Sequence, residues 1–137
     1  MAKPKFEMDH VAIAVSDLDR SMKWYSSVFG FETKAKFDRP DLKVKGAIMA
    51  LGKYNLELFG PYEPEPMEEY RKRLETSLQV VGVQHFALSV DDVVQAQKYL
   101  RDNGVKCGEV TSGKTAKYVF CNDLDGILIE VKQNLGE

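Results

Sequence analysis

HVAIAVSDL, at residues 10–18, is repeated in modified form as HFALSVDDV at residues 85–93. The two histidines are therefore 75 positions apart in a 137-residue chain. The two stretches share His, Ala, Val and Asp at corresponding positions, and their other apolar positions agree in kind. An internal repeat limits the possible folds, because each copy must form the same supersecondary unit. We therefore expect two modules of similar architecture.

Each copy alternates bulky apolar residues with small or polar ones, and a period of two residues is typical of a β-strand. In the first copy the two faces are Val11, Ile13 and Val15 against His10, Ala12 and Ala14. The bulky face should pack beneath a helix, while the histidine face leaves room for another group.

A helix should follow each of these strands. In the first helix Asp17 is the candidate N-cap and Gly30 the residue at which the helix should end. In the second helix Asp92 is the candidate N-cap and Gly104 the expected end. Three further strands are predicted in each copy, at 31–37, 44–51 and 55–59, and at 105–110, 117–121 and 127–131. Each copy then has the order β-α-β-β-β.

Between the copies, Met67, Tyr70, Leu74 and Leu78 indicate a connecting helix. We expect one domain over residues 1–137, with module 1 at 6–62, the connecting helix at 63–82 and module 2 at 83–133.

The closing strands carry a second repeated feature, a glutamate within an apolar segment. Glu57 stands in LEL and Glu130 in IEV. An unpaired carboxylate there would be costly, so it needs a cation or several hydrogen-bond donors. The chain has only two histidines, and both open the first strand of a copy. The symmetric pattern predicts a metal site formed by His10, Glu57, His85 and Glu130.

This donor set suits a divalent ion such as Zn, Ni, Co, Mn or Fe, and affinity alone does not choose among them. Four protein ligands in an octahedral shell leave two positions for two adjacent substrate oxygens. The ion would polarise a carbonyl and stabilise an enediolate. Glu57 or Glu130, once loosened from the ion, would take the proton next to that carbonyl.

Composition excludes several other functions. The net charge is −2 with no charged tail, which does not favour nucleic acid or an anionic membrane as a partner. No apolar run reaches the roughly 20 residues that span a bilayer, and the N-terminal residues form no signal core. Cys107 and Cys121 form neither a metal-type pair nor a disulfide framework, so we expect two small buried hydrophobes and a cytoplasmic location.

The sequence resembles the vicinal-oxygen-chelate superfamily, which includes glyoxalase I, methylmalonyl-CoA epimerase, fosfomycin-resistance enzymes, extradiol dioxygenases and bleomycin-resistance proteins. The resemblance covers about residues 6 to 133. It is carried by three stretches, DHVAIAV at 9–15 continuing through Trp24-Tyr25 to Phe29-Gly30-Phe31, VQHFALSVDD at 83–92, and FCNDLDG at 120–126 continuing to Glu130.

The resemblance implies an α+β fold in which two tandem β-α-β-β-β modules form a curved mixed sheet around a metal cleft. It also implies a homodimer with sites at the interface. The four ligands look most like glyoxalase I, a lyase that acts on the thiol adduct of a 2-oxoaldehyde. However, Ala14 and Pro61 replace the Arg and Asn with which glutathione-using members hold glutathione.

A racemase like methylmalonyl-CoA epimerase is the nearest alternative, although the third strand carries no extra glutamate at Gly46 or Ala47. A metal-free protein of the bleomycin-resistance type, which sequesters its ligand, is another alternative. A dioxygenase would need a further histidine, and a fosfomycin-type transferase would leave Glu57 without a role. The substrate is a small molecule, either a thiol adduct or an acyl-CoA. We expect an acidic group on it to be bound by one of Lys36, Arg39, Lys43, Lys45, Lys114 and Lys117.

Overall fold

A computed structural model describes residues 2–136 and divides the chain into two compact units, Met1–Glu65 and Pro66–Glu137. Each unit contains one four-stranded mixed sheet and one longer helix. The α+β class and the two-module organisation predicted from the repeat are therefore confirmed.

In the first unit the strands are β1 (His10–Ala14), β2 (Glu32–Arg39), β3 (Val44–Leu51) and β4 (Tyr54–Pro61), with helix α1 at Leu18–Phe29. The strand order is β1-β4-β3-β2, in which β1 runs parallel to β4 and the other pairs are antiparallel.

The second unit begins with a 3-10 turn at Glu69–Lys72 and the short helix α2 at Leu74–Ser77. Its strands are β5 (Phe86–Ser89), β6 (Thr111–Ser112), β7 (Ala116–Asn122) and β8 (Leu128–Asn134), and helix α3 spans Val93–Asp102. The strand order β5-β8-β7-β6 repeats that of the first unit. Within residues 2–136, no helix has both the length and the apolar character needed to cross a bilayer.

Both longer helices begin at the predicted caps. The Asp17 side chain accepts a hydrogen bond from the Arg20 amide at 3.1 Å, and Asp92 does the same for Gln95 at 3.1 Å. Helix α1 ends at Gly30, whose φ of 87° is the left-handed conformation that suits glycine. Helix α3 ends one residue before the predicted stop, with Asn103 as its C-cap.

The face assignment is confirmed in both units, and in β5 Ala87 and Ser89 are exposed while Phe86 and Leu88 are partly buried. In β1, His10, Ala12 and Ala14 are exposed, while Val15 just beyond the strand is only 2% exposed. Tyr25 of α1 is fully buried on the core side. The opposite sheet face, which carries the histidine, is left uncovered by α1.

Two of the predicted elements are wrong. The connecting helix predicted at 63–82 is only a 3-10 turn and a four-residue helix, and no residue of the 3-10 turn is buried. The strand predicted at 105–110 is reduced to one isolated bridge at Cys107, and regular pairing of the next strand starts only at Thr111. The other predicted strands are present, with ends shifted by up to three residues.

Candidate metal centre

The first unit brings His10 and Glu57 together on the uncovered face of its sheet. His10 opens β1, and Glu57 lies on β4, where it pairs with Ala12 in parallel register. Side chains at paired positions of neighbouring strands point to the same face. The His10 Nε2 atom is 4.0 Å from Glu57 Oε2.

The second unit repeats this arrangement. His85 stands directly before β5, and Glu130 lies on β8, paired with Ala87. The His85 Nε2 atom is 3.5 Å from Glu130 Oε1. Both glutamate side chains are mostly buried, at 20% exposed for Glu57 and 17% for Glu130. The structure thus brings the four predicted residues together as two His–Glu pairs, one in each unit.

The other nitrogen of each imidazole is held by the residue directly before the histidine. His10 Nδ1 is 2.7 Å from the Asp9 carboxylate, and His85 Nδ1 is 2.6 Å from the Gln84 amide oxygen. Gln84 also donates from its amide nitrogen to Ser77 Oγ. Because both oxygens can only accept, Nδ1 carries the proton in each ring. A neutral ring then has its lone pair on Nε2, which is the atom that faces the glutamate.

A lone pair facing a carboxylate is stabilised only by a cation or a proton. The hydrogen bond to Asp9, assisted by the charge of Glu57, raises the pKa of His10 above its usual value. A divalent ion satisfies both atoms as well, since its ligands lie at roughly 2.0–2.2 Å and two of them are therefore about 3–4 Å apart. The separations of 4.0 and 3.5 Å match this range.

The donor chemistry therefore fits a metal, since metal-binding histidines almost always donate their second ring N–H to a carboxylate or carbonyl oxygen. Among the described residues of either unit, however, no group of three His, Cys, Asp or Glu side chains is gathered. A pair is fewer than the three or four protein ligands of usual metal sites. Each pair by itself therefore has too few ligands for such a site.

Aromatic rings border the pair in the second unit. The Phe120 ring meets the His85 ring edge-on at 4.9 Å, and Tyr118 packs against Phe120 at 5.9 Å. Phe120 pairs with Glu130 across β7 and β8, so these groups share one face. The edge-on contact with Phe120 restricts the orientation of the His85 ring.

The first unit has a similar apolar region two residues from Glu57. Phe59 packs against Phe37 at 5.9 Å, and both rings lie beside Gly46 on the intervening strand. A Cβ atom at Gly46 would come within 2.1 Å of the Phe37 ring, so glycine is needed for this close approach.

An open cavity of about 460 Å³ extends from this region to the start of α1. It is lined by Phe37 and Gly46 together with Lys36, Lys45, Tyr62 and the loop at Ser16 and Asp17. Lys36 lies 3.5 Å from Asp19, and Arg39 forms two hydrogen bonds with Asp41 outside this cavity. Lys45 lines the cavity too, but it pairs with Gly60, three positions from Glu57 on β4, so the Lys45 and Glu57 side chains point to opposite faces of the sheet.

Removing the support of one histidine should weaken metal binding without removing a ligand. We expect Gln84→Ala to lower the affinity for Zn²⁺ or Ni²⁺ by roughly 10- to 100-fold, because the His85 ring loses the acceptor that sets its tautomer. Competition with a chromophoric chelator measures this affinity. Gln95→Ala, which truncates an exposed glutamine of α3, is the matched control and should bind like wild type. Equal affinities for both variants would contradict the proposed support.

The repeat predicted the four residues of the two pairs, whereas the contacts of Asp9 and Gln84 with the imidazole rings were not predicted. A signal was present in both copies, since each histidine is preceded by a residue whose side chain contains an acceptor oxygen.

The comparisons with known proteins agree with this architecture. Residues 7–131 match the Glyoxalase/Bleomycin resistance protein/Dioxygenase superfamily. The mitochondrial methylmalonyl-CoA epimerase of Dictyostelium discoideum is 27% identical over 133 residues, which are 93% of this chain and 78% of that protein.

Two further relatives are glyoxalases. A lactoylglutathione lyase of Arabidopsis thaliana is 30% identical over 132 residues, which cover 90% of this chain but only 43% of that protein. The structure of the trypanothione-dependent glyoxalase I of Leishmania major superposes with a TM-score of 0.74 at 25% identity, covering 94% of this chain and 87% of that one.

Proposed function

The chain belongs to the Glyoxalase/Bleomycin resistance protein/Dioxygenase superfamily, and we propose that it is a metal-dependent lyase or isomerase of the glyoxalase I type. Its substrate in this proposal is the thiol adduct of a 2-oxoaldehyde. The observation that carries the proposal is the repeated pair in which the Nε2 atom of a histidine faces a glutamate carboxylate, at 4.0 Å in the first unit and 3.5 Å in the second.

In this proposal His10, Glu57, His85 and Glu130 together bind one divalent ion, drawn from Ni, Zn, Co, Mn and Fe. Two considerations support a shared ion. The four residues hold corresponding positions in the two copies, and either pair alone is too few for a stable site. When bound, the metal supplies Lewis-acid polarisation of a substrate carbonyl and so acidifies the neighbouring C–H.

The glutamates supply the base. Each carboxylate has a second oxygen besides the one that faces histidine Nε2, and this oxygen is the proposed acceptor of the substrate proton. Proton transfer between adjacent substrate carbons then needs the same carboxylate to return the proton. Partial burial of Glu57 and Glu130 favours this, because limited contact with water slows exchange of the proton with solvent.

We do not expect the thiol to be bound in the way that glutathione-using members bind glutathione, because Ala14 and Pro61 stand at the two positions concerned. Ala14 ends β1 and pairs with Phe59, while Pro61 ends β4, so both positions offer apolar atoms. Neither side chain can form an ion pair or a hydrogen bond with a peptide thiol. We propose a thiol cofactor other than glutathione, or one held by different residues.

We keep one of the six cations as the proposed binding residue for an acidic group of the substrate, namely Lys36, Arg39, Lys43, Lys45, Lys114 or Lys117. Lys45 lines the cavity, but its side chain points away from the sheet face that carries Glu57. We therefore expect Lys45→Ala to leave KM and kcat close to wild type, as Lys53→Ala on the β3–β4 turn should. A several-fold rise in KM for Lys45→Ala alone would contradict this placement.

An epimerase acting on a methylmalonyl-CoA-like acyl-CoA is the second candidate. The similarity to the Dictyostelium epimerase over most of that protein favours it. The chemistry is related, since it also moves a proton next to a carbonyl. Against it, strand β3 reads VKGAIMAL and contains no carboxylate that could act as an additional base.

A non-enzymatic protein that sequesters its ligand is the third candidate, and it would need no metal. We further propose a homodimer in the cytoplasm, with its sites at the subunit interface. Sedimentation equilibrium tests the dimer, and a monomer at micromolar concentration would contradict it.

Assays on the metal-loaded protein separate these candidates. One arm offers methylglyoxal with glutathione, cysteine or other small thiols and follows thioester formation. The other arm offers one epimer of methylmalonyl-CoA and follows its conversion to the other epimer. We expect thioester in the first arm. Epimer conversion alone would establish the epimerase, and failure of both arms with metal bound would leave the sequestering protein.

A further inference from the structure

The two cysteines, 14 positions apart in the sequence, lie directly opposite each other in the second unit. Cys107 and Cys121 form an isolated antiparallel bridge. The backbone hydrogen bonds on either side run from Gly108 N to Phe120 O at 2.9 Å and from Asn122 N to Lys106 O at 3.1 Å. This pattern makes the cysteines a non-hydrogen-bonded pair, the arrangement in which opposing side chains approach most closely.

That geometry suits a disulfide. The Cα atoms of such a pair are about 4.5 Å apart, and disulfides form at Cα separations of roughly 4.4–6.8 Å. We propose that Cys107 and Cys121 are a peroxide-sensitive dithiol that closes to an intramolecular disulfide.

The segment that carries Cys107 is held in place for this reaction. Gln97 donates to the Gly108 carbonyl at 2.8 Å. Arg101 donates to the Cys107 carbonyl at 3.2 Å and to that of Gly108 at 2.9 Å. These contacts from α3 replace the regular strand pairing that the segment lacks. Little chain movement is needed before the two sulfurs can bond.

The two thiols have different surroundings, which assigns them different roles. Cys107 is partly exposed, and a hydrogen bond from the Cys121 thiol, helped by the Arg101 guanidinium, lowers the pKa of Cys107. Cys121 is fully buried, and the same hydrogen bond together with burial raises its pKa. A low-pKa, accessible thiol next to a resolving cysteine is the usual arrangement of redox-sensing sites.

The reaction balances with hydrogen peroxide as the oxidant. The Cys107 thiolate attacks one peroxide oxygen, so that an S–O bond forms, the O–O bond breaks and hydroxide leaves. The Cys121 sulfur then attacks the sulfur of the Cys107 sulfenic acid, so that the S–S bond forms and the S–O bond breaks. The departing hydroxide takes the Cys121 proton and leaves as water. Two electrons pass from the two thiols to one peroxide.

Thiol counting tests this proposal independently of any activity. Full-length protein is treated with hydrogen peroxide, then denatured and alkylated, and its mass is measured. We expect wild type to fall from two alkylated cysteines to none. On a denaturing, non-reducing gel it should still run as a single chain, without a disulfide between chains, and dithiothreitol should restore both thiols. Cys121→Ser should stop at a sulfenic acid on Cys107 that dimedone traps. Cys107→Ser should keep Cys121 reduced.

Three results would overturn the proposal. One is wild type that retains both thiols under conditions in which Cys121→Ser is labelled by dimedone. Another is a lack of dimedone labelling in Cys121→Ser together with retained thiols in wild type. The third is a disulfide that forms only between chains.

Because Cys121 and Phe120 are neighbours on a strand and point to opposite faces, the thiols lie on the other side of β7 from the His85 contact.

Discussion

Glu130→Gln is expected to lower kcat by about 10²- to 10⁴-fold, the usual contribution of a positioned acid or base, and to remove most of the bound metal. Glu130 lies in β8 between Ile129 and Val131, which are 0% and 2% exposed. Glutamine has the same shape, so it preserves this packing. What it lacks is the carboxylate charge and the second carboxylate oxygen, which in the proposed function bind the metal ion and accept the substrate proton.

The measurement combines metal content by atomic emission with steady-state rates on the substrate identified by the assays above. Glu75→Gln is the matched control, because it changes the same group in the same unit at a side chain that is 75% exposed. Circular dichroism should show both variants folded. Wild-type rate and metal content in Glu130→Gln would remove this residue from the site.

Tyr25→Ala should lower the free energy of unfolding by about 3–5 kcal/mol, the range measured for truncating large buried aromatic side chains. Tyr25 is fully buried at the centre of a cluster with Trp24 at 4.9 Å, Phe31 at 5.8 Å and Phe29 at 6.1 Å. Its removal leaves a cavity between α1 and the sheet. The loss is a large part of the roughly 5–15 kcal/mol by which domains are stable.

Urea denaturation followed by circular dichroism measures this loss. Tyr54→Ala provides the control with the same chemical change, since Tyr54 is 67% exposed at the start of β4. We expect it to cost less than about 1 kcal/mol. Similar losses at the two positions would mean that the aromatic cluster does not stabilise the first unit.

The fold could be predicted from the sequence because the same pattern of strand and helix signals occurs in both copies of the repeat. Alternation placed His10 and Val15 on opposite faces of one strand, and the structure has Val15 buried and His10 exposed. Asp17 and Asp92 marked the helix starts because a carboxylate there binds the free amides of the first turn. These signals are local, so no tertiary information was needed.

The connecting helix was predicted from the spacing of apolar residues alone, and that spacing is not sufficient to form a helix. Isolated helices of this length are marginal in water and need a buried face. The 3-10 turn at Glu69–Lys72 buries none of its residues, and in α2 only Ser77 is buried. The apolar spacing of Tyr70, Leu74 and Leu78 therefore lacked the packing that would have made one continuous helix.

The strand predicted at 105–110 failed for a different reason. The Gly108 carbonyl, which strand pairing could use, accepts hydrogen bonds from the side chains of Gln97 and Arg101. These contacts come from α3, and no pattern within 105–110 reveals them. The same long-range packing places Cys107 against Cys121, which is why the sequence indicated only two independent buried thiols.

The site was predictable as a set of residues but not as a geometry. The repeat identified His10, Glu57, His85 and Glu130, while the choice of Nε2 as the free nitrogen came only from the contacts of Asp9 and Gln84 with Nδ1. That contact decides which ring atom can bind a metal.

The central claim, that both His–Glu pairs serve one cation, is tested most directly by the metal content of five proteins. Wild type and the variants His10→Ala, Glu57→Gln, His85→Ala and Glu130→Gln are stripped with a chelator, reloaded with Ni²⁺ or Zn²⁺ and desalted. We predict one tightly bound ion per chain in wild type and a clear loss in every variant, whichever pair is changed. Full metal content in both variants of one pair, with loss confined to the other, would contradict the claim.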